Sequence, residues 1–161
     1  MKRVIVTLVV FLLMPLAALA QEEVGGTYVT FDLEETIIEL PDGSSLVQFT
    51  YGQFGTTNDP DSPFSNAKGR CMGEGLRSES GEVITSAGAC VFHNPDGDTV
   101  WTWWRLEKVG TTDCPLACGT SGIFNGTGAF DGVTGSGTWK ITASYPDGTY
   151  LGVSQFKFER K

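Results

Sequence analysis

The sequence holds a single histidine, His93, and no lysine or arginine between residues 21 and 67. One imidazole leaves little room for a zinc site or for a histidine-based catalytic relay. The basic gap and a formal charge of −8 argue against nucleic acid and anionic membrane surfaces as partners, because both require clustered cations. Only 19% of residues are charged while 40% are hydrophobic, which fits neither a disordered chain nor a coiled coil. Beyond position 20 no long stretch shows a helical apolar period, and the 21 glycines would be costly inside helices. Asn58-Asp59-Pro60-Asp61 offers oxygens but lacks the spacing and closing glutamate of a calcium loop. Neither a metal nor a cofactor is expected.

The one long apolar run, Val4 to Met14, follows Lys2 and Arg3 and precedes Ala18-Leu19-Ala20. That is the layout of a secretory signal peptide cleaved after Ala20, and the run is short for a membrane span. The expected organisation is therefore a signal peptide over 1–20 and a single domain over 21–161, secreted or periplasmic, without stable membrane insertion. No cysteine follows the cleavage site to take a lipid. Cleavage removes Lys2 and Arg3 and takes the charge from −8 to −10. Nine acids crowd residues 21–67, among them Glu22, Glu34, Glu35 and Glu39. A charge run of this kind reads first as a solubilising surface.

What is present in quantity is two-residue alternation. Val29, Phe31 and Leu33 alternate with polar residues, as do Val47, Phe49 and Tyr51, the pattern of antiparallel strands with one wet face. Pro-Asp-Gly occurs at 41–43, 95–97 and 146–148. Proline presets the first turn dihedral and glycine accepts a positive φ, so each copy predicts a hairpin, with a fourth turn at Ser80-Gly81. Expected strands are 27–40, 45–54, 68–77, 82–93, 99–108, 123–130, 136–145 and 149–159, with loops at 55–67 and 109–122. Eight consecutive antiparallel strands can close into a barrel; a β-sandwich is the alternative.

Four cysteines in an exported chain favour two disulfides, for which three pairings exist. A hairpin turning at Ser80-Gly81 sets Cys71 opposite Cys90, at a separation a disulfide can bridge. Ideal register makes this a hydrogen-bonded pair, adjusted by a bulge near Gly73 or Gly88. Cys114 and Cys118 then close a tight loop. Zinc or redox readings of these cysteines lack a ligand set and a two-residue spacing.

Candidates for chemistry are few. His93 lies just before a turn, and no Gly-x-Ser-x-Gly elbow accompanies it. Glu74, Arg77 and His93 are the polar candidates near aromatic strands. Phe92, Trp101, Trp103 and Trp104 are the ligand-binding candidates, able either to fill a barrel or to line a cavity. Trp101 and Trp103 share one face and Trp104 takes the other; a one-residue slip at the turn exchanges the faces, so their direction stays open. The glycine-rich run 126–137 lacks the lysine and the following helix that phosphate binding requires. Asn125-Gly126-Thr127 is a formal glycosylation acceptor, used only on a eukaryotic route.

Gly126-Thr-Gly-Ala-Phe-Asp-Gly-Val-Thr-Gly-Ser-Gly-Thr-Trp139 resembles the glycine-rich hairpin of allene oxide cyclase-like and dirigent-like β-barrels, in particular their exported bacterial branch. Cys71 and Cys90, then Asp96-Gly97-Asp98 and a tryptophan-rich strand, extend the likeness over 68–159. The resemblance implies an eight-stranded barrel with an apolar interior, and oligomers are common in the family. Its motif is structural, so no catalytic residue carries over. Three functions follow as expectations: a non-catalytic barrel binding a small hydrophobic molecule or a protein partner, an isomerase or cyclase acting on an apolar substrate inside the barrel, or a structural or adhesive domain with a filled interior.

Overall fold

The computed structural model describes residues 22–160; the expected signal peptide and its cleavage point lie outside the described residues. Eight strands follow one another: β1 (Glu22–Glu39), β2 (Ser45–Thr57), β3 (Ala67–Arg77), β4 (Val83–His93), β5 (Thr99–Thr111), β6 (Cys114–Gly126), β7 (Val133–Ser144) and β8 (Tyr150–Arg160). Each pairs antiparallel with its sequence neighbours, and β8 returns to β1, so the sheet closes into a barrel. Closure leaves no unpaired edge, which rules out the sandwich.

The turns explain the meander. At each Pro-Asp-Gly the glycine N–H donates to a carbonyl three residues back, and Gly43, Gly97 and Gly148 hold φ of 82°, 88° and 83°. The Ser78–Glu82 turn repeats this pattern with Gly81 at φ 82°. A positive φ is strained for a side chain with a Cβ, so glycine at that place specifies the turn.

Four expectations need correction. Residues 109–122 are not a loop: β5 runs on to Thr111, and β6 covers Cys114–Gly126 rather than 123–130. Three register shifts interrupt the β5–β6 ladder, so the alternation that marks a strand is broken there. Residues 128–130, expected to end a strand, are a short 3-10 helix, Gly128–Phe130, ahead of β7. Val29, Phe31 and Leu33 do not share a face. Asp32 takes φ 53° at a bulge between Phe31 and Glu34, so Leu33 lines the interior with Tyr28 and Thr30 while Phe31 stays outside. Finally, the register irregularity of the β3–β4 hairpin lies between Leu76 and Arg77, not at Gly73 or Gly88. Cys71 and Cys90 still pair directly, with Cα atoms 4.0 Å apart, the close spacing of a non-hydrogen-bonded pair. Cys114 bonds Cys118 at the tip of the β5–β6 hairpin.

The core sits at one end of the barrel. Val100, Ile123, Phe130, Val133 and Phe158 form the buried cluster there, with Phe64 from the β2–β3 connection packed against it. Phe130 is held in place by Asp98, whose Oδ2 accepts the Ala129 N–H at 2.9 Å, and by Arg160 donating to the Ala129 carbonyl. A half-buried, charge-assisted hydrogen bond contributes about 2 kcal/mol. Asp98→Ala is therefore expected to lower the unfolding free energy by about that amount, measured by urea titration; an unchanged midpoint would remove this role.

Candidate functional site

Above the plugged end the barrel is hollow. A cavity of about 430 Å³ runs from Phe64 and Phe156 towards the opposite end, where Leu33, Val83, Leu106 and Val109 approach the rim. Its middle is aromatic: Trp104 stacks on Phe49 at 5.8 Å and meets the edge of Trp139 at 6.1 Å, with Tyr51 at 6.5 Å. The sequence makes room for Trp104 by omission. A Cβ at Gly73 or Gly88 would lie 2.7 Å or 2.6 Å from its ring, so only glycine lets the indole lie against that wall.

The polar residues of the interior are mostly uncharged, among them Gln53, Ser86, Thr102 and Ser154. Glu35 and Arg77, both facing inward near the rim, form an ion pair at 2.7 Å and so neutralise one another. Thr30 Oγ1, Ser121 Oγ and Trp104 Nε1 are buried without a hydrogen-bond partner among the described residues, and all three residues line the cavity. Trp104 and Ser121 are direct cross-strand partners. No group of His, Cys, Asp or Glu among the described residues could hold a metal.

Burial raises the Tyr51 and Tyr28 phenols well above their ordinary value of 10.0, and for Tyr51 the neighbouring Tyr28 adds to the rise. Both stay neutral in the folded barrel while unfolded phenols ionise near pH 10. Below that pH both states hold their protons and stability is unaffected; above it the unfolded chain sheds protons first, so stability falls as pH rises. Urea midpoints are expected to drop between about pH 9 and about pH 11, and Tyr28→Phe with Tyr51→Phe to flatten the drop. A decline of equal size in that double variant would sink the assignment.

The other candidate residues separate. Phe92, Trp103 and Trp104 all border the cavity, whereas Trp101 does not; Trp103 also borders a groove on the outer wall, its indole resting on Gly122, where a Cβ would meet its Cε2 at 2.6 Å. Arg77 lies inside. Glu74 is exposed on the outer wall, and His93 is exposed at the end of β4, its Nδ1 2.9 Å from Thr99 Oγ1. Glu74, Arg77 and His93 thus form no common site. Tyr28 and Glu35 went unnoticed in the sequence because the Asp32 bulge hides which residues of β1 face in. Phe49, Tyr51 and Trp139 carried a usable signal: each falls on the inward alternation of its strand.

This antiparallel barrel of eight strands is similar in fold to two solved structures. The pterocarpan synthase dirigent protein GePTS1 superposes with a TM-score of 0.52 at 17% identity, covering 88% of this chain and 87% of that one. The pterocarpan synthase dirigent protein PsPTS1 gives 0.52 at 14% identity, covering 88% and 96%. The chain has the dirigent-like barrel fold. No family model and no curated protein matches its sequence. At these identities the likeness speaks for the dirigent-like backbone alone, and the function has to be argued from the cavity.

Proposed function

We propose that this protein is an exported dirigent-like barrel that binds a small, neutral, predominantly apolar molecule in its interior without transforming it. The observation that carries this reading is the aromatic cavity of about 430 Å³, within the size range of small-molecule sites. Apolar surface moved out of water there contributes about 25 cal/mol per Å². The ligand is neutral because the charges near the rim, Glu35 and Arg77, already pair with one another. A free carboxylate entering the cavity would meet no unpaired cation and would lose its hydration. Two disulfides suit an oxidising compartment, and the signal-peptide pattern of residues 1–20 agrees with export. A filled scaffold is disfavoured by the same cavity.

A second reading, an isomerase or cyclase, has one observation in its favour: the similar solved structures are named as synthases. Enclosure could orient a reactive substrate with only one or two polar groups, for which the neutral phenols of Tyr28 and Tyr51 and the Ser121 hydroxyl are available.

The test is fluorescence titration with 1-aminoanthracene, a neutral apolar probe. Saturable one-to-one binding is expected, with tryptophan emission quenched. Trp104→Ala should weaken it about tenfold, the equivalent of an aromatic contact worth about 1.4 kcal/mol. Absence of a saturable site would overturn the interior-binding reading.

A further inference from the structure

The outer wall carries a second constellation on the far side of the sheet from the cavity. Across β5 to β1 the register aligns Trp103, Gly122, Ser136, Lys157 and Glu23 in one row. Arg105, Thr120, Thr138 and Gln155 make the adjacent row on the same face. Beside the tryptophan, where the small residues Ser136 and Gly137 line the surface, lies a groove of about 590 Å³, lined from all five strands. Four inter-strand spacings give it a length of about 19 Å.

The chemistry of the lining selects an occupant. Trp103 lies with the Nε1–Cε2–Cζ2 side of its indole against Gly122 and is the one aromatic residue lining the groove. The side chains of Ser136, Thr138 and Gln155 are exposed and make no hydrogen bond among the described residues. The charges are matched: Lys157 stands 3.8 Å from Glu23 and Arg105 3.4 Å from Glu107. An anion would have to compete with these carboxylates. An apolar segment would gain one aromatic contact and strip water from a row of hydroxyl and amide groups. A pyranose suits both halves of the surface. Its C–H face packs on the electron-rich indole, and its hydroxyls exchange hydrogen bonds with Ser, Thr and Gln side chains in a shallow, wet groove.

We propose that this outer groove binds a neutral oligosaccharide, with Trp103 as the stacking platform and Thr138 and Gln155 as hydrogen-bonding groups. The groove lies on the opposite side of the sheet from the cavity, since Trp103 and Trp104 alternate across the β5 backbone; Trp103 borders both spaces, whereas Thr138 and Gln155 border the groove alone.

The experiment follows the Trp103 indole N–H signal by NMR while maltotriose, cellotriose or N,N′,N″-triacetylchitotriose is added to the full chain. At least one sugar is expected to shift that signal saturably at millimolar concentration. Trp103→Ala should weaken binding about tenfold, and Gly122→Ala, which forces the ring off the wall, should act in the same direction. Interior binding of 1-aminoanthracene should be unchanged in Gln155→Ala, whose residue borders the groove and not the cavity. Should either variant fail to fold, Gln155→Ala at its exposed position carries the test, with a severalfold loss expected. Two results would overturn the proposal. One is that none of the three sugars moves the indole signal. The other is sedimentation showing a self-associated protein that Trp103→Ala dissociates, which would assign this wall, with exposed Met72, Val91 and Phe124 nearby, to a second copy of the chain.

Discussion

Phe130→Ala is expected to lower the unfolding free energy by about 3–5 kcal/mol, the cost of truncating a fully buried phenylalanine. Its ring is 0% exposed and meets Phe64 edge-on at 4.9 Å within the cluster that plugs the barrel. Its other neighbours, Val100, Ile123, Val133 and Phe158, sit on hydrogen-bonded strands of the closed barrel, so the void cannot close by a small shift of the wall. Phe124→Ala is the control: its ring is 62% exposed, and the expected change is within about 0.5 kcal/mol. Both are read from urea midpoints at constant slope. A Phe130→Ala loss below about 1 kcal/mol would mean the plugged end is not where stability resides. A second readout concerns the site. Because Phe64 also lines the cavity, Phe130→Ala should alter 1-aminoanthracene binding, whereas Phe124→Ala should leave it alone.

Replacing Cys71 and Cys90 together by serine is the second large effect. The bond spans 19 residues, and chain-entropy arguments give about 3 kcal/mol for a loop of that order. The Cys114–Cys118 bond, four residues apart, closes a far smaller loop and is expected to contribute about 2 kcal/mol. Urea titration of the two double variants separates them, and intact mass with and without reductant shows each variant retaining its other disulfide. Reversed order would refute the loop argument. The first bond also joins the two strands bearing Gly73 and Gly88, the wall on which Trp104 lies. Its removal should therefore weaken probe binding, and removal of the tip disulfide should not.

The four glycine turns were legible because each is a local statement: proline, aspartate and glycine act on their own dihedrals wherever the strands go. The Cys71–Cys90 pairing was legible by counting outward from Ser80-Gly81, although the ladder reaches it through a register shift between Leu76 and Arg77. The β5–β6 hairpin was not. Its pairing depends on bulges that interrupt alternation, and bulges are stabilised by the neighbouring strand rather than by their own sequence. Half of the candidate site was legible too. Alternation marked Phe49 and Tyr51 as neighbours on one face, but could not say that Trp104 of β5 would lie between them and Trp139 of β7. Nor could it tell that Trp103, one residue from Trp104, would look outward over Gly122.

By itself, then, the sequence determined strand number, the turns, one disulfide register and a polar–apolar alternation able to make a barrel. These depend on contacts within a few residues or within one hairpin. Closure of β8 onto β1, the inward direction of Tyr28, Glu35 and Trp104, and the hollow above the Phe130 plug were decided only by tertiary structure. A two-residue period has two equivalent faces, and choosing between them takes the rest of the barrel: the Asp32 bulge re-phases β1, and glycines on partner strands admit the rings.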